Sequence, residues 1–347
     1  MPSALPPYIF DFLQITNGGW QAFAVPRPLP ATVNGTTGSD DISFAPIVAT
    51  TVNGGGRDDR ITLEEGGLQL ASIVNGGAGS DQLFGNSAVL NTLNGGDGND
   101  YIHGGAGTDV LSGDAGSDTL SYEASPTSVI VNMSTLTLTG GITVSGGHAN
   151  GDTVSNNFEN VVGSNYNDTI TGNATANRLF GYGGNDVLNG GGGNDIIRGG
   201  DGNDTVLGGA GDETLFGENG DDRLDGQAGY DWLNGGGGRD TFVCSAVGDS
   251  SDVNPNRSDH ILDLNDCGVR DVVDVSQFDA DLTQPGQQHF TVVTDGYVQG
   301  GQIGYQPFGT SYGHQIYGNV IGSDEDLRII LQNPTIGGFA TPVDFVV

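Results

Sequence analysis

The feature that most constrains this chain is a nine-residue repeat that runs from residue 163 to residue 243 without a slip in frame. Each copy opens with glycine, has an acidic or amide residue at its sixth position and an apolar residue at its eighth. The glycine-rich first six positions have the composition of a turn. The last three alternate outward, inward and outward as a short strand does.

Such a unit has one inward side chain and cannot bury it alone, so neighbouring units must stack. Two units complete one coil, with their strands on two facing sheets. Units n and n+2 then lie side by side at a strand spacing of about 4.8 Å. The sequence therefore predicts an all-β fold, a parallel β-roll or β-helix solenoid.

The stacking also aligns the sixth-position acids into two ladders. One edge carries Asp168, Asp186, Asp204, Asp222 and Asp240, and the other carries Asn177, Asp195, Glu213 and Asp231. Carboxylates roughly 5 Å apart repel by about 1–3 kcal/mol per pair, depending on the effective dielectric. A hard divalent cation relieves this repulsion, and Ca²⁺ accepts carboxylate and backbone carbonyl oxygens in flexible geometry, whereas Mg²⁺ demands a small octahedron. The alternative is a metal-free turn repeat.

A first block of the same repeat, at residues 35–121, is irregular early and regular late. Its copies start at Gly35, at Gly54 (a degraded copy), at Gly76, and then regularly from Gly95; in the unit that starts at Gly85 we place Leu90 at position six. The predicted calcium ligands of the two blocks are Asp81, Asp100, Asp109, Asp118, Asp168, Asp186, Asp195, Asp204, Asp222, Asp231 and Asp240, with the turn glycines Gly190, Gly193, Gly199, Gly202, Gly208 and Gly235.

The blocks divide the chain into five predicted parts. These are an N-terminal arm or cap (1–34), the first block (35–121), a connector (122–162), the second block (163–243) and a β-rich C-terminal cap (244–347). In the arm, residues 8–13 have the composition of a strand. In the connector, residues 129–133 and 142–144 have strand patterns, and the segment is either a spacer between calcium blocks or a longer rung of the solenoid.

The motif G-G-x-G-x-D-x-U-x, most clearly at residues 190–198 and 199–207, resembles the RTX, or hemolysin-type, calcium-binding repeat. The segments 259–265 and 271–276, with Phe278, resemble the non-catalytic C-terminal domain of serralysin-type metalloproteases, which caps the last coil. The last four residues, from Asp344, resemble the uncleaved type I secretion signal of that family; alternatively they form a final strand. The resemblance implies export through a type I secretion apparatus.

The composition of the chain excludes some classes of binding partner. With 43 acidic residues against 10 arginines and no lysine, the formal charge of −33 argues against nucleic acid and anionic membrane surfaces. No apolar run is long enough to span a membrane, and no Sec-type signal peptide opens the chain. Strands are expected at 290–294, 302–305, 315–317 and 327–331, and a weak helical pattern at 276–281. Cys244 and Cys267 form either a disulfide or two free thiols.

Catalytic motifs are lacking. None of the five histidines stands in an H-E-x-x-H motif, so we predict no zinc protease site. Residues 309–313 match G-x-S-x-G, but the adjacent His314 is in the wrong relation for a triad base, and we treat the match as chance. The sequence therefore predicts a secreted, non-catalytic protein that folds on binding extracellular Ca²⁺ and acts at a surface or matrix, with polysaccharide or a cell surface as its partner. The alternative is a module associated with, or left over from, a secreted protease, lipase or alginate epimerase.

Overall fold

The computed structural model describes residues 32–45, 49–65, 71–87, 90–136 and 141–243, together with the backbone of short strands nearer the two ends of the chain. It divides into two compact units, Met1–Asn165 and Tyr166–Val347. Among the described residues no helix has the length and apolarity needed to cross a bilayer. The predictions for residues 276–281, for the two cysteines and for residues 309–313 fall outside the described residues.

The first unit is built from sixteen strands and one short 3₁₀ helix, Gly147–Ala149, within the described part. The strands are β1 (Phe12–Ile15), β2 (Ala22–Ala24), β3 (Thr32–Asn34), β4 (Asp41–Phe44), β5 (Thr51–Gly56), β6 (Arg60–Leu63), β7 (Ile73–Ala78), β8 (Gln82–Phe84), β9 (Thr92–Asp97), β10 (Tyr101–His103), β11 (Val110–Ala115), β12 (Thr119–Ser121), β13 (Ile130–Leu136), β14 (Ile142–Ser145), β15 (Thr153–Val154) and β16 (Asn160–Val162).

Two parallel sheets face each other in this unit. One runs through β4, β6, β8, β10, β12 and β16, and the other through β3, β5, β7, β9, β11 and β15. Consecutive units of the repeat therefore alternate between sheets, as the stacking argument requires. The N-terminal strand β1 pairs antiparallel with β2 and with β4, so the arm covers the edge of the first coil.

In its described part, the second unit has the same architecture, with sixteen strands. They are β17 (Thr169–Thr171), β18 (Arg178–Gly183), β19 (Val187–Gly192), β20 (Ile196–Asp201), β21 (Thr205–Ala210), β22 (Thr214–Asn219), β23 (Arg223–Ala228), β24 (Trp232–Gly237), β25 (Thr241–Val243), β26 (Asp259–Ile261), β27 (Val272–Asp274), β28 (Thr291–Val293), β29 (Gln302–Pro307), β30 (His314–Asn319), β31 (Asp326–Leu331) and β32 (Asp344–Val346).

Here one parallel sheet contains β18, β20, β22, β24 and β26, and the other contains β17, β19, β21, β23, β25, β27 and β32. Strand β31 pairs with β26 and joins the antiparallel pairs β29–β30 and β30–β31 to the first sheet. All the strands expected from the C-terminal sequence are present, and they extend the roll beyond its last repeat. The prediction of an all-β parallel solenoid is confirmed.

The core is one side chain thick. The eighth residue of each repeat points between the sheets and is fully or almost fully buried, from Ile42 in the first unit to Phe242 in the second. Burying one Val, Leu or Ile contributes about 1.5–3 kcal/mol. Because each coil adds only two such side chains, the turns decide whether a coil is stable.

The connector pairs with the last strands of the first block through β15 and β16. Strands β13 and β14 form an antiparallel hairpin, close to the segments expected at 129–133 and 142–144. The chain then returns, and β15 pairs in parallel with β11 while β16 pairs with β12. Tyr122 and Phe158, both buried, give this segment a core of its own. The interpretation of residues 122–162 as a spacer or as a longer rung stays a prediction.

The placement of Leu90 at position six is wrong. Asn91 occupies that position: it is fully buried, and its N–H donates to Asp109 Oδ1 at 2.7 Å. Leu90 is 42% exposed. The extra residue of this unit is absorbed in the turn, because a shift within the strand would move Leu93 out of the core.

Candidate metal centre

The sixth-position carboxylates use one oxygen to tie successive coils together. In the second unit the N–H of Asp186 donates to Asp204 Oδ1 at 2.7 Å, and the N–H of Asp204 donates to Asp222 Oδ1 at 2.8 Å. The other edge repeats the pattern, with Asn177 N–H donating to Asp195 Oδ1 at 2.7 Å. Each turn therefore hydrogen-bonds to the turn one coil ahead, eighteen residues later in the regular block.

The first unit has the same ladder despite its irregular spacing. The backbone N–H groups of Asp40, Asp59, Asp81 and Asp100 each donate to the Oδ1 of the next acid along one edge, as far as Asp118. The distances are 2.7–2.8 Å. Insertions that lengthen a coil are therefore accommodated outside the ladder.

The second oxygen of these acids lies buried, and no described residue donates a hydrogen bond to it. This holds for Oδ2 of Asp59, Asp81, Asp100, Asp109, Asp118, Asp186, Asp195, Asp204 and Asp222. A buried, unpaired polar atom costs about 1–3 kcal/mol, and more when it is charged. A row of such oxygens is what a set of bound cations would neutralise.

The glycine at position one keeps the space beside this oxygen open. A Cβ on Gly190 would clash with Asp195 Oδ2 and would lie 2.5 Å from the carbonyl oxygen of Gly208, one coil ahead. At Gly208 itself, a Cβ would lie 2.5 Å from the Gly226 carbonyl oxygen and 2.9 Å from Glu213 Oε2. A carboxylate oxygen and a carbonyl oxygen of the next coil thus flank the same α-carbon. Gly199 has the same surroundings, and at Gly235 a Cβ would meet Asp240.

The predicted ligands Gly193 and Gly202 have a different place. Both have positive φ, +100° and +130°, and a Cβ on either would run into the backbone of the turn one coil behind. They are required because only glycine combines this backbone conformation with such close stacking. What they add to the site is the tight turn that presents its carbonyl groups.

These donors fit a hard cation that accepts oxygen from the main chain. Nowhere in the described ranges do three His, Cys, Asp or Glu side chains converge on one point. The predicted aspartates are therefore brought into ladders, with one ladder carboxylate to each of their turns. Any ion at these turns must take most of its ligands from carbonyl groups and water. Ca²⁺ accepts such a set of about six to eight oxygens, whereas Zn²⁺ prefers nitrogen and sulfur.

Burial raises the pKa of many ladder acids. It raises the pKa to about 7 for Asp109, Asp186 and Asp222. For five more acids the pKa rises to about 6, and they are Asp81, Asp100, Asp118, Asp195 and Asp204. In each case desolvation outweighs the backbone hydrogen bond, which acts in the opposite direction. Without a counter-ion, a charged ladder is therefore unfavourable.

Glu213 and Asp231 are neighbouring acids on one edge of the second unit. Burial raises the pKa of Glu213 well above its ordinary value, and the adjacent Asp231 carboxyl raises it further. The N–H of Glu213 also donates to Asp231 Oδ1 at 2.8 Å. Two buried carboxyl groups this close cannot both be charged without a cation or a shared proton.

Sequence reasoning missed a second ladder at position five. The N–H of Asn203 donates to Asn185 Oδ1 at 3.0 Å, and the N–H of Asp221 donates to Asn203 Oδ1 at 3.0 Å. These bonds run toward the preceding coil, opposite to those of position six. The recurrence of Asn and Asp just before the sixth position was the available signal.

It also missed acids outside the regular copies. Asp59 belongs to the degraded copy, and only its position in the repeat marks it. Asp152 Oδ1 accepts the N–H of Asp109 at 2.8 Å, and Glu159 Oε2 accepts the N–H of Asp118 at 2.9 Å. Both connector acids therefore continue the ladders of the first block. Neither stands in a copy of the G-G-x-G-x-D motif.

Comparison with known families agrees with this geometry. A family model described as the RTX calcium-binding nonapeptide repeat (4 copies) matches residues 71–88, 91–120, 162–197, 171–206, 189–224 and 207–242. The chain contains RTX calcium-binding repeats. The RTX matches cover the two regular runs of turns, and they support Ca²⁺ as the cation. They end at residue 242, so the serralysin-like character of the C-terminal part stays a prediction.

Among solved structures, the chain is similar to the AlgE6R3 subunit from the Azotobacter vinelandii mannuronan C5-epimerase. The two share 19% sequence identity over 53% of this chain and 93% of the other, with a TM-score of 0.24. At that TM-score the similarity carries no argument about function. No curated protein sequence matches the chain.

Proposed function

We propose that this chain is a secreted RTX β-roll protein that folds when it binds extracellular Ca²⁺. The observation that carries the proposal is the row of buried aspartate oxygens to which no described residue donates a hydrogen bond. In a medium of low calcium these acids oppose stacking. In a medium rich in calcium each bound ion neutralises a turn and adds to the stability of its coil.

The proposed ligands are the sixth-position acids together with turn carbonyl groups. In the second unit they are Asp168, Asp186, Asp195, Asp204, Asp222, Asp231 and Asp240, and in the first unit Asp81, Asp100, Asp109 and Asp118. The glycines at position one keep space open beside the carboxylate oxygens; they are Gly190, Gly199, Gly208 and Gly235. Gly193 and Gly202 form the tight turn. We add Asp59 to the proposed ligands, because its Oδ2 has the same environment.

Linkage sets the size of the effect. An ion at one hundred times its dissociation constant stabilises the folded state by about 2.7 kcal/mol per site. Extracellular calcium modules bind at about 10⁻⁴ to 10⁻³ M. Several sites acting together exceed the few kcal/mol that separate folded from unfolded domains, so calcium concentration can switch the fold.

Circular dichroism in the far ultraviolet tests the proposal directly. The chain is stripped of metal, and its spectrum is followed while CaCl₂ or MgCl₂ is added. We expect β-structure to appear cooperatively with CaCl₂, and to appear weakly or at much higher concentration with MgCl₂. A chain that is equally β-structured in excess chelator would contradict the proposal.

Outside the cell, we propose a surface, matrix or adhesion role without catalysis, with export by a type I secretion apparatus. A feature that supports a polysaccharide partner is the outer face of β18, β20, β22 and β24. There Arg198 lies 4.3 Å from the Phe216 ring centroid, and Trp232 is 44% exposed. Flat aromatic rings suit the faces of sugars, while the guanidinium group of Arg198 is paired with Glu218 at 2.7 Å.

A glycan-binding screen in calcium, with the parent and a Phe216→Ala variant, tests this role. Binding to a polysaccharide that is lost in the variant would support it. The alternative role, as a module of a secreted enzyme, is tested by assaying the calcium-loaded chain for hydrolase and lyase activity. Turnover of any substrate by the chain itself would contradict the non-catalytic assignment.

A further inference from the structure

Two histidines that are far apart in sequence meet in the first unit. His103 ends strand β10, and His148 lies in the 3₁₀ helix Gly147–Ala149 of the connector. Their ring centroids are 6.2 Å apart, and the ring planes make an angle of 62°. The connector brings them together because β15 and β16 return to pair with β11 and β12.

The tautomer of His103 follows from its one hydrogen bond. Its Nδ1 lies 3.0 Å from the carbonyl oxygen of Ser121. A carbonyl oxygen only accepts, so Nδ1 carries the proton and Nε2 keeps a free lone pair. Metal-binding histidines are commonly oriented in this way, with the non-ligating nitrogen bonded to a main-chain carbonyl.

His148 supplies a second nitrogen that lacks a partner. Its Nδ1 is buried, and no described residue hydrogen-bonds to it. The backbone beside the ring is held in place, since the N–H of His148 donates to Ser125 Oγ at 3.1 Å. Burial lowers the pKa of both imidazoles, which keeps both rings neutral and their lone pairs available at neutral pH.

We propose that His103 and His148 together bind one divalent transition-metal ion of the zinc class. With metal–nitrogen bonds of about 2.0–2.1 Å, two imidazoles on one ion have centroids roughly 5–6.5 Å apart. The observed 6.2 Å lies within this range. Water fills the other positions, because no third His, Cys, Asp or Glu side chain converges with them within the described residues.

This site differs in chemistry from the calcium turns. Imidazole nitrogen favours zinc, copper and nickel, whereas Ca²⁺ takes oxygen. An ion held by His103 and His148 would tie the 3₁₀ helix of the connector to strand β10. The site does not depend on the proposed calcium function, and the two can be tested separately.

Isothermal titration calorimetry with ZnCl₂ tests the proposal on the full, tag-free chain saturated with CaCl₂. The background carries Cys244→Ser and Cys267→Ser to remove thiol ligands. We expect one zinc site per chain, weakened by at least about tenfold in His148→Gln and in His103→Gln. His260→Gln, which changes a histidine of strand β26, is the matched control and should bind as the parent does.

A spectroscopic measurement keeps the test independent of folding. Each variant must first show the calcium-dependent far-ultraviolet spectrum of the parent. Cu²⁺ added to the calcium-loaded parent should then give an electron paramagnetic resonance spectrum with two nitrogen ligands, reduced to one in His148→Gln. A parent that binds no zinc, or histidine variants that bind zinc and copper like the parent, would overturn the proposal.

Discussion

At the scale of single residues, each ladder aspartate divides its two oxygens between two tasks. Oδ1 accepts a main-chain N–H of the preceding coil and would do so with or without a cation. Oδ2 points to the space beside a position-one glycine. No described residue donates a hydrogen bond to it there, and a bound cation would neutralise it. An amide side chain has one oxygen and no charge, so it cannot perform both tasks.

The substitution Asp204→Asn separates the two tasks. The amide oxygen keeps the hydrogen bond from Asp186 N–H, but the anionic ligand is lost. We expect the CaCl₂ concentration at the folding midpoint to rise about three- to tenfold. Far-ultraviolet circular dichroism during a calcium titration measures this midpoint.

The control is Asp201→Asn in the same turn. Asp201 is exposed and accepts the Asn219 side chain at 2.8 Å, so this change removes the same charge without touching the ladder. Its calcium midpoint should stay near that of the parent. Equal shifts in the two variants would mean that net charge, and not the ladder oxygen, governs calcium-driven folding.

Two glycines of one turn give a second test at this scale. A Cβ at Gly190 would meet Asp195 Oδ2 and the Gly208 carbonyl, whereas a Cβ at Gly192 would find its nearest atoms 3.7 Å away. Gly190→Ala should therefore destabilise the calcium-bound protein by about 1–3 kcal/mol. Gly192→Ala should be neutral or slightly stabilising. Urea unfolding in excess CaCl₂ compares them, and similar losses in both would contradict the assigned role of Gly190.

At the scale of elements, the sequence predicts the turn and the strand but not how an interrupted coil is closed. Glycine at position one, acid at six and an apolar residue at eight recur because every coil has the same local geometry. This periodicity was enough to place the two sheets, the buried Ile42 and Phe242, and the ladder acids. The same regularity led to the wrong placement of Leu90, because the frame alone does not show where an extra residue is absorbed.

The closure of the first block depends on contacts that no local pattern contains. Asn157 Oδ1 accepts the N–H of Gly113 at 3.1 Å, and its amide donates to Ser112 Oγ at 3.2 Å and to the Asp114 carbonyl at 3.3 Å. Here the side chain of a connector residue makes hydrogen bonds that the turn of a following coil would otherwise make. The pairing of His103 with His148 is of the same kind, since both arise from the return of the connector.

The substitution Asn157→Ala should loosen that closure. It removes the partner of Gly113 N–H, and a hydrogen bond of this kind contributes about 0.5–1.5 kcal/mol. We expect amide hydrogen exchange at Gly113 to become roughly two- to tenfold faster in the calcium-bound protein. Asn156→Ala, at the exposed neighbouring position, is the control and should leave Gly113 unchanged. Unaltered exchange in Asn157→Ala would show that the connector does not hold this turn.

At the scale of the whole molecule, the repulsion among negative charges opposes compact folding. The formal charge of −33 is spread along a chain whose core is only one side chain thick. The acids that stack in the ladders are also buried, so charge that keeps the unfolded chain soluble resists folding. Two ligands can relieve this opposition, namely calcium ions and protons.

Protons should therefore replace calcium in part. Among the ladder acids, burial raises the pKa from an ordinary 3.8 to about 6 for Asp204 and to about 7 for Asp186. A raised folded-state pKa means that, without calcium, the folded state binds protons more tightly than the unfolded chain. The stability gained in this way is complete below pH 3.8 and is lost as the pH rises through 6 to 7. In excess chelator, we expect more β-structure at pH 5 than at pH 8.

With calcium bound, the sign reverses, because the ion requires ionised carboxylates and competes with protons. The apparent calcium affinity should fall as the pH drops through 7 to 6, and the urea midpoint in CaCl₂ should be higher at pH 8 than at pH 5. Far-ultraviolet circular dichroism and urea unfolding measure the four conditions, namely pH 5 and pH 8, each with and without calcium. If the calcium-free chain gained no β-structure on acidification, repulsion among buried carboxylates would not be what keeps it unfolded. The dependence on calcium would then have to come from the carbonyl groups of the turns.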